Sequence, residues 1–438
     1  MKTRTIMAGV VASALLTTSA LAGGFERGRA DTELLFDGQG LSSRAGVTIV
    51  NPQREYTSVR PFVVDALGNG AVSFPADGFE NPSYVIPSVA AAYGFDRGSC
   101  GGTYTTPFGG NSNFERFSVD ASAVGGPDRV PLGFNPTSTT ATTKVEFITH
   151  EFGLTCQAGA EVGPGRAFGL AGAFVQTLDF EQTVALGGRV LDLDDTSYGY
   201  RLGVGYEVPE IALRAQLIYR SEVDIDAEGS FRVNDPTLDA FAAATGGANT
   251  TGATGTGTFP RSLEFRAQSG IAADTLVFLT AKWTDWSVFD RLEYNTALPE
   301  TVNIPGLGPV EVPGSGDQQL EFYYRDGYTI GLGVARRLNE TTAATLGVAW
   351  DRGVGTGYDI ATDTYTLAAG AVLTPREDIE ITFGGALLYL TGGEQRFFNA
   401  NGVVDANGRE AERIEGDPVL EADDDIGFAL SLAGKIRF

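Results

Sequence analysis

The last thirteen residues, Ile426 to Phe438, set Ile426, Phe428, Leu430, Leu432, Ile436 and Phe438 on one face of an extended chain. The other face carries Gly427, Ala429, Ser431, Ala433, Lys435 and Arg437. Strict period-2 alternation makes this a β-strand. Large apolar residues on one side and small or charged ones on the other describe either the edge of a soluble sheet or one stave of a transmembrane barrel. The remainder of the chain separates these two outcomes.

Lys2 and Arg4 precede an apolar run from Ile6 to Leu16 and the small-residue stretch Ala20-Leu21-Ala22, which reads as a cleavable secretory signal over residues 1–22. That run is shorter than the roughly 20 residues a spanning helix needs. Every later apolar stretch is broken by Gly, Asp, Glu or Arg, so a passage through a membrane requires a closed barrel, which satisfies its backbone groups without helices. Loss of Lys2 and Arg4 would take the net charge from −24 to about −26, which excludes nucleic acid as a partner. The 58 glycines, with 27 Phe and 15 Tyr, favour many short strands and turns. Cys100 and Cys156 would meet an oxidising compartment after export, so a disulfide is expected between them, with two unpaired thiols as the alternative that spacing leaves open.

Period-2 stretches bounded by turn signals number about fourteen, an even count as single-chain bacterial barrels require. Short turns are expected near residues 96–102, 159–165, 208–210, 272–275, 338–341 and 375–378. Longer connections are expected near 64–82, 109–142, 186–196, 229–259, 294–318, 353–362 and 396–424. Such segregation places periplasm on one side and exterior on the other. Thr245 to Thr258, nearly all Gly, Ala, Asn and Thr, reads as a mobile loop, and the acidic runs Asp192 to Asp195 and Asp423 to Asp425 read as solvated loop surface. The fold expected is all-β: a transmembrane antiparallel β-barrel over residues 40–438, with a short N-terminal hatch, residues 23–39, inside the lumen.

The chemistry-bearing residues are few. His150 beside Glu151 lacks the converging serine and orienting group of a lipid hydrolase, and two Cys with one His build no metal site. Neither catalysis nor a cofactor is therefore expected. In Lys282-Trp283-Thr284-Asp285-Trp286-Ser287 the two tryptophans point to opposite faces of a strand, so one belongs at the lipid interface and the other in the lumen. Lys282 shares the face of Trp286, where an inward cation can meet an anionic head group.

Phe259-Pro260-Arg261-Ser262 followed by Gly270 and Trp283-Thr284-Asp285-Trp286-Ser287, Tyr324-Arg325-Asp326-Gly327-Tyr328 leading to Gly331-Leu332-Gly333, and Thr345 to Asp351 together carry a family resemblance. Ile86-Pro87-Ser88, Ala90 to Phe95 and Thr106-Pro107-Phe108-Gly109-Gly110 extend it. The chain resembles the FadL family of long-chain fatty acid and hydrocarbon transporters of the bacterial outer membrane over most of its length. The resemblance implies a barrel of fourteen strands, an inward-folded hatch, a buried apolar pocket, and lateral release at a kink in the third strand, supplied here by Pro107, Gly109 and Gly110. Proline removes a ladder donor and glycine packs poorly, so the wall is weakest there. The family's Asn-Pro-Ala hatch motif has no counterpart in the short hatch, because Asn51-Pro52-Gln53 falls at the end of the first strand.

The function expected is passive passage of hydrophobic molecules, such as long-chain fatty acids, across the outer membrane of a Gram-negative bacterium. Phe25, Phe36, Phe108, Trp283, Trp286 and Lys282 are the candidate path residues. Phe438 resembles the terminal aromatic read by the barrel-assembly machinery. Outer-membrane lipid and lipopolysaccharide are the surroundings expected of a monomer. A water-filled porin and a structural or adhesive surface barrel are the alternatives.

Overall fold

The structure is a computed structural model and describes residues 24–59, 74–77, 83–113, 118–119, 130–131, 142–184, 189–233, 250–289, 291–298, 301–304, 308–311, 316–355, 357, 360–398, 412–413 and 420–438. Alternation along the chain closes into one antiparallel barrel of fourteen staves. The first six are Gly40–Asn51 (β1), Tyr84–Phe95 (β2), Gly98–Thr105 with Gly109–Asn113 (β3), Thr142–Val162 (β4), Gly165–Val184 (β5) and Arg189–Val208 (β6). Four interrupted staves follow: Leu213–Arg220 with Val223–Val233 (β7), Thr250–Phe259 with Ser262–Ala272 (β8), Thr275–Thr284 with Arg291–Thr296 (β9), and Gly316–Glu321 with Gly327–Arg337 (β10). The last four are Thr342–Asp351 (β11), Thr364–Arg376 (β12), Ile379–Leu390 (β13) and Asp425–Arg437 (β14). β14 pairs with β13 on one edge and β1 on the other, so the sheet has no free edge there.

The faces follow the alternation. Ile426, Leu430, Leu432, Ile436 and Phe438 are exposed on the outside, whereas Lys435 is 3% exposed and points inward. Leu41, Val47 and Ile49 continue the outer apolar belt on β1, and Tyr198, Tyr200, Leu202 and Val204 on β6. Above Tyr198 the outward positions of β6 become Asp194 and Asp192, so the acidic run lies in a strand and not in a loop. β5 and β6 have 20 residues each, longer than the 9–11 a membrane strand needs, and their upper halves stand clear of the lipid.

Two predicted loops are shorter than the sequence suggests. Between β5 and β6 only residues 185–188 separate the strands. Thr250 to Thr258, expected to be mobile, belongs to a strand that pairs with Val223–Val233. Thr250, Thr254, Thr256 and Thr258 face outward, and Ala253, Gly255 and Gly257 face a crowded lumen: a Cβ on Gly255 would stand 2.7 Å from Leu193 Cδ1. Residues 245–249 lie outside the described residues.

Cys100 belongs to β3 rather than to the preceding turn. It stands directly opposite Cys156 on β4, with Cα atoms 4.0 Å apart and a formed disulfide. The bridge closes a separation of 56 residues, so in the chain-entropy account it contributes up to about 4 kcal/mol. Urea unfolding of the Cys100→Ser/Cys156→Ser variant in lipid vesicles is expected to show a lower midpoint. An unchanged midpoint would mean that the paired ladders alone hold β3 to β4.

Candidate functional site

β3 breaks between Thr105 and Gly109, where Pro107 can donate no ladder hydrogen bond. Below the break β2 and β3 pair from Ser88 opposite Thr105 down to Phe95 opposite Gly98. Above it Gly109–Asn113 pairs with β4 alone among the described residues, while Tyr84–Pro87 of β2 pairs with β1. The N-terminal segment takes up the free edge. Arg27 N donates to Pro107 O (2.8 Å), Gly28 N to Thr106 O (2.8 Å), and Gly109 N to Phe25 O (3.0 Å). Pro107, Gly109 and Gly110 thus meet residues 25–28 rather than a neighbouring strand. A Cβ at Gly109 would stand 2.7 Å from the Arg27 guanidinium, and one at Gly110 would stand 3.0 Å from the Phe25 ring.

The interruptions in β7 to β10 fall at one level of the wall, after Arg220, Phe259, Thr284 and Glu321. Freed from the ladder, the chain turns aromatic side chains inward that a continuous strand would direct alternately to lipid. Trp286 sits in a 3-10 turn, Trp286–Val288, fully buried, with Phe289 beside it. Phe25 lies among Phe147 (4.9 Å between ring centroids), Trp286 (6.1 Å), Phe289 (5.6 Å), Phe322 (5.5 Å) and Tyr324 (5.5 Å), mostly edge to face. Phe108 stacks on Phe259 at 4.7 Å and meets Trp286 edge-on. Leu178, Leu191, Leu193, Val223, Ile225 and Leu292 complete an apolar chamber occupied by the chain's own Phe25.

Below the chamber the lumen is ionic. Glu26 accepts hydrogen bonds from Lys282 Nζ (2.6 Å) and Thr284 Oγ1 (2.9 Å). Arg29 pairs with Glu264, and Asp31 with Arg44 at 2.7 Å. Glu33 accepts from Arg214, from Gln216 (2.7 Å) and from Arg266 (3.2 Å). Asp37 meets Lys435 at 3.1 Å and Arg437 at 3.7 Å. Burial works against a charged Glu33, but Arg214, Arg266 and Arg29 together hold its carboxyl below the usual range. A further triad joins Glu151 to Arg201 and to Arg220 (3.0 Å), whose guanidinium lies 5.1 Å from the centre of the Phe108 ring. Two small cavities, of about 100 and 60 Å³, flank Gly28, Arg29 and Ala30.

The structure therefore brings Phe25, Phe108 and Trp286 together and places Lys282 beneath them, bound to Glu26. Trp283 stays on the outer face between Leu263 and Tyr328 and donates to Asp326 (3.0 Å), away from the chamber. Phe36 lies elsewhere in the lumen, against Phe168 (4.9 Å) and under Arg214 (4.3 Å). His150 packs beside Tyr104, whose hydroxyl is 3.0 Å from Nδ1, with Asp179 at 3.8 Å. Sequence reasoning missed the ionic layer and Phe147, Phe289, Phe322 and Tyr324. The layer does leave a sequence signal, since Arg214, Gln216, Ile218 and Arg220 alternate with Leu213, Ala215, Leu217 and Tyr219.

Comparison with known proteins places this architecture. The family model described as outer membrane protein transport protein (OMPP1/FadL/TodX) matches residues 86–397. A Pseudomonas aeruginosa FadL homologue is similar in fold, with TM-score 0.65 and 14% identity over 95% of this chain and 96% of that one. The Ralstonia pickettii toluene transporter TbuX (TM-score 0.53, 14% identity) covers 93% of this chain and 91% of its own. The P. putida toluene transporter TodX (TM-score 0.55, 11% identity) covers 93% and 92%. No curated protein matches by sequence.

Proposed function

Since the chain belongs to the OMPP1/FadL/TodX family of outer membrane transport proteins, we propose that it passes hydrophobic molecules through the outer membrane passively. The observation that carries this reading is the aromatic chamber around Phe25. A chamber of Phe, Trp, Leu and Val side chains offers apolar solutes the dry surface that a polar lipopolysaccharide layer denies them. Residues 23–39 act as the hatch. An incoming apolar chain displaces Phe25 and takes over its contacts, so passage is gated by the cargo itself.

Cargo then leaves sideways between β2 and β3, where residues 25–28 replace strand-to-strand pairing. A route along the barrel axis would meet the paired charges below the chamber, each costly to uncover. Long-chain fatty acid is the cargo favoured here, because a long apolar chamber entered past cationic side chains suits a molecule with an apolar tail and an acid head. A neutral aromatic hydrocarbon, as for the toluene transporters of similar fold, is the second reading, favoured by the edge-to-face ring geometry.

The Gly109→Val/Gly110→Val variant tests the exit, since its side chains would fill the space beside Arg27 and Phe25. Uptake of radiolabelled oleate by cells expressing it is expected to fall at least fivefold, with heat-modifiable gel mobility preserved. Undiminished uptake would count against the side exit. Large steady conductance of the purified protein in planar bilayers would instead support a water-filled porin.

A further inference from the structure

Of the six charged side chains between Glu26 and Asp37, five are matched by an opposite charge on the barrel wall: Glu26 by Lys282, Arg29 by Glu264, Asp31 by Arg44, Glu33 by Arg214 and Asp37 by Lys435. Arg27 is the exception. Among the described residues no carboxylate lies within ion-pair distance of it, and its guanidinium rests 4.2 Å from the centre of the Tyr84 ring. The carboxylate of Glu146, on β4, is held by Lys144 at 2.9 Å.

The exception stands at the break in the wall. Tyr84 is the first residue of β2, in the stretch that has lost its pairing to β3. Arg27 bonds through its backbone to Pro107 of β3, and its guanidinium occupies the space that a side chain at Gly109 would need. One side chain therefore spans the parted strands, held to β2 by a ring contact and to β3 by its own backbone. A small cavity begins one residue further along, lined by Gly28, Ile86, Ser88 and Thr105.

We propose that Arg27 is the cargo-reading latch of the side exit: it recognises the carboxylate of an anionic amphiphile, and in binding it lets go of Tyr84. This inference rests on the lateral-exit reading above and names the side chain that meets the acid head of its favoured cargo. A guanidinium over a phenol ring gains a cation–π contact, whereas a guanidinium facing a carboxylate makes two parallel charge-assisted hydrogen bonds, the stronger arrangement when both are shielded from water. Arrival of the head group thus favours the state in which β2 and residues 25–28 are no longer joined. A neutral hydrocarbon offers nothing for which Arg27 would exchange the ring.

The test is initial uptake of two radiolabelled cargoes, oleate and neutral octadecane, by cells expressing the full chain. Wild type, Arg27→Gln, Arg27→Lys and Gly109→Val/Gly110→Val are compared at matched surface levels with heat-modifiable mobility as the folding check. Arg27→Gln removes both the carboxylate's partner and the ring contact that holds the exit against neutral cargo, so it is expected to lower the ratio of oleate to octadecane uptake about tenfold, and Arg27→Lys is expected to restore much of that ratio. Equal effects of Arg27→Gln on both cargoes, or none on either, would overturn the latch. Unchanged uptake of both cargoes by the glycine variant would overturn the side exit itself, and is read separately from the Arg27 result.

Discussion

Glu33→Ala is expected to release the N-terminal segment from the lumen while leaving the barrel closed. The substitution strands Arg214 and Gln216 inside the barrel and leaves Arg266 to Glu264 alone. Breaking a buried ion pair by removing one partner costs about 3–5 kcal/mol, because the remaining charge is left uncompensated. That loss falls on docking of residues 24–37, since no ladder hydrogen bond of the fourteen strands uses the Glu33 side chain. Amide hydrogen exchange in detergent micelles reads it directly. Protection of residues 24–37 should fall by two or more orders of magnitude, with β1 and β14 unchanged, and retained protection would show that the other ion pairs suffice.

Acid should mimic the substitution. Glu33 titrates below the ordinary carboxylate value of 4.5 when docked, so its contribution is complete above that value and is lost as pH falls through the lower, docked-state value. Exchange protection of the segment should accordingly be flat from neutrality to about pH 5 and decline only in stronger acid. A decline beginning near pH 6 or 7 would point to another group.

Phe25→Ala is expected to tighten the binding of apolar ligands. Truncating a buried phenylalanine typically costs about 3–5 kcal/mol through lost transfer and an unfilled cavity. Here the cavity would open at the heart of the chamber, among Phe147, Phe289, Phe322 and Tyr324. A ligand that must displace Phe25 binds only the fraction of molecules in which that ring has left, and removing the ring removes the penalty. Titration of dodecane or laurate against the purified protein, followed by Trp286 fluorescence, should give at least tenfold tighter binding to the variant. Weaker binding would mean that Phe25 is a wall of the site and not its occupant.

The barrel was legible because lipid imposes period 2 on every stave. Ile426 to Phe438 declares its two faces without reference to any other strand, and Lys435 lies inward as the pattern requires. Thr250 to Thr258 was illegible for the converse reason. Its lumen side must be small to clear Leu193 and Leu292, its outer side is polar because it stands beyond the lipid, and neither face carries the large apolar residues that mark a strand. The break at Pro107 could be read from proline chemistry, whereas the 3-10 turn that carries Trp286 out of the strand and inward could not. The ion pairs could not. Glu33 and Arg214 stand 181 residues apart, and an alternating strand reveals that Arg214 faces inward but not what it meets.

Those long-range pairs also fix an order of events. β1 is complete only when β14 pairs with it, and Asp37 takes its partners, Lys435 and Arg437, from that last strand. The N-terminal segment therefore has no complete seat until the final stave has closed. Glu33 has its partners once β7 and β8 are in place, whereas Asp37 is tied down only as the seam between β1 and β14 shuts.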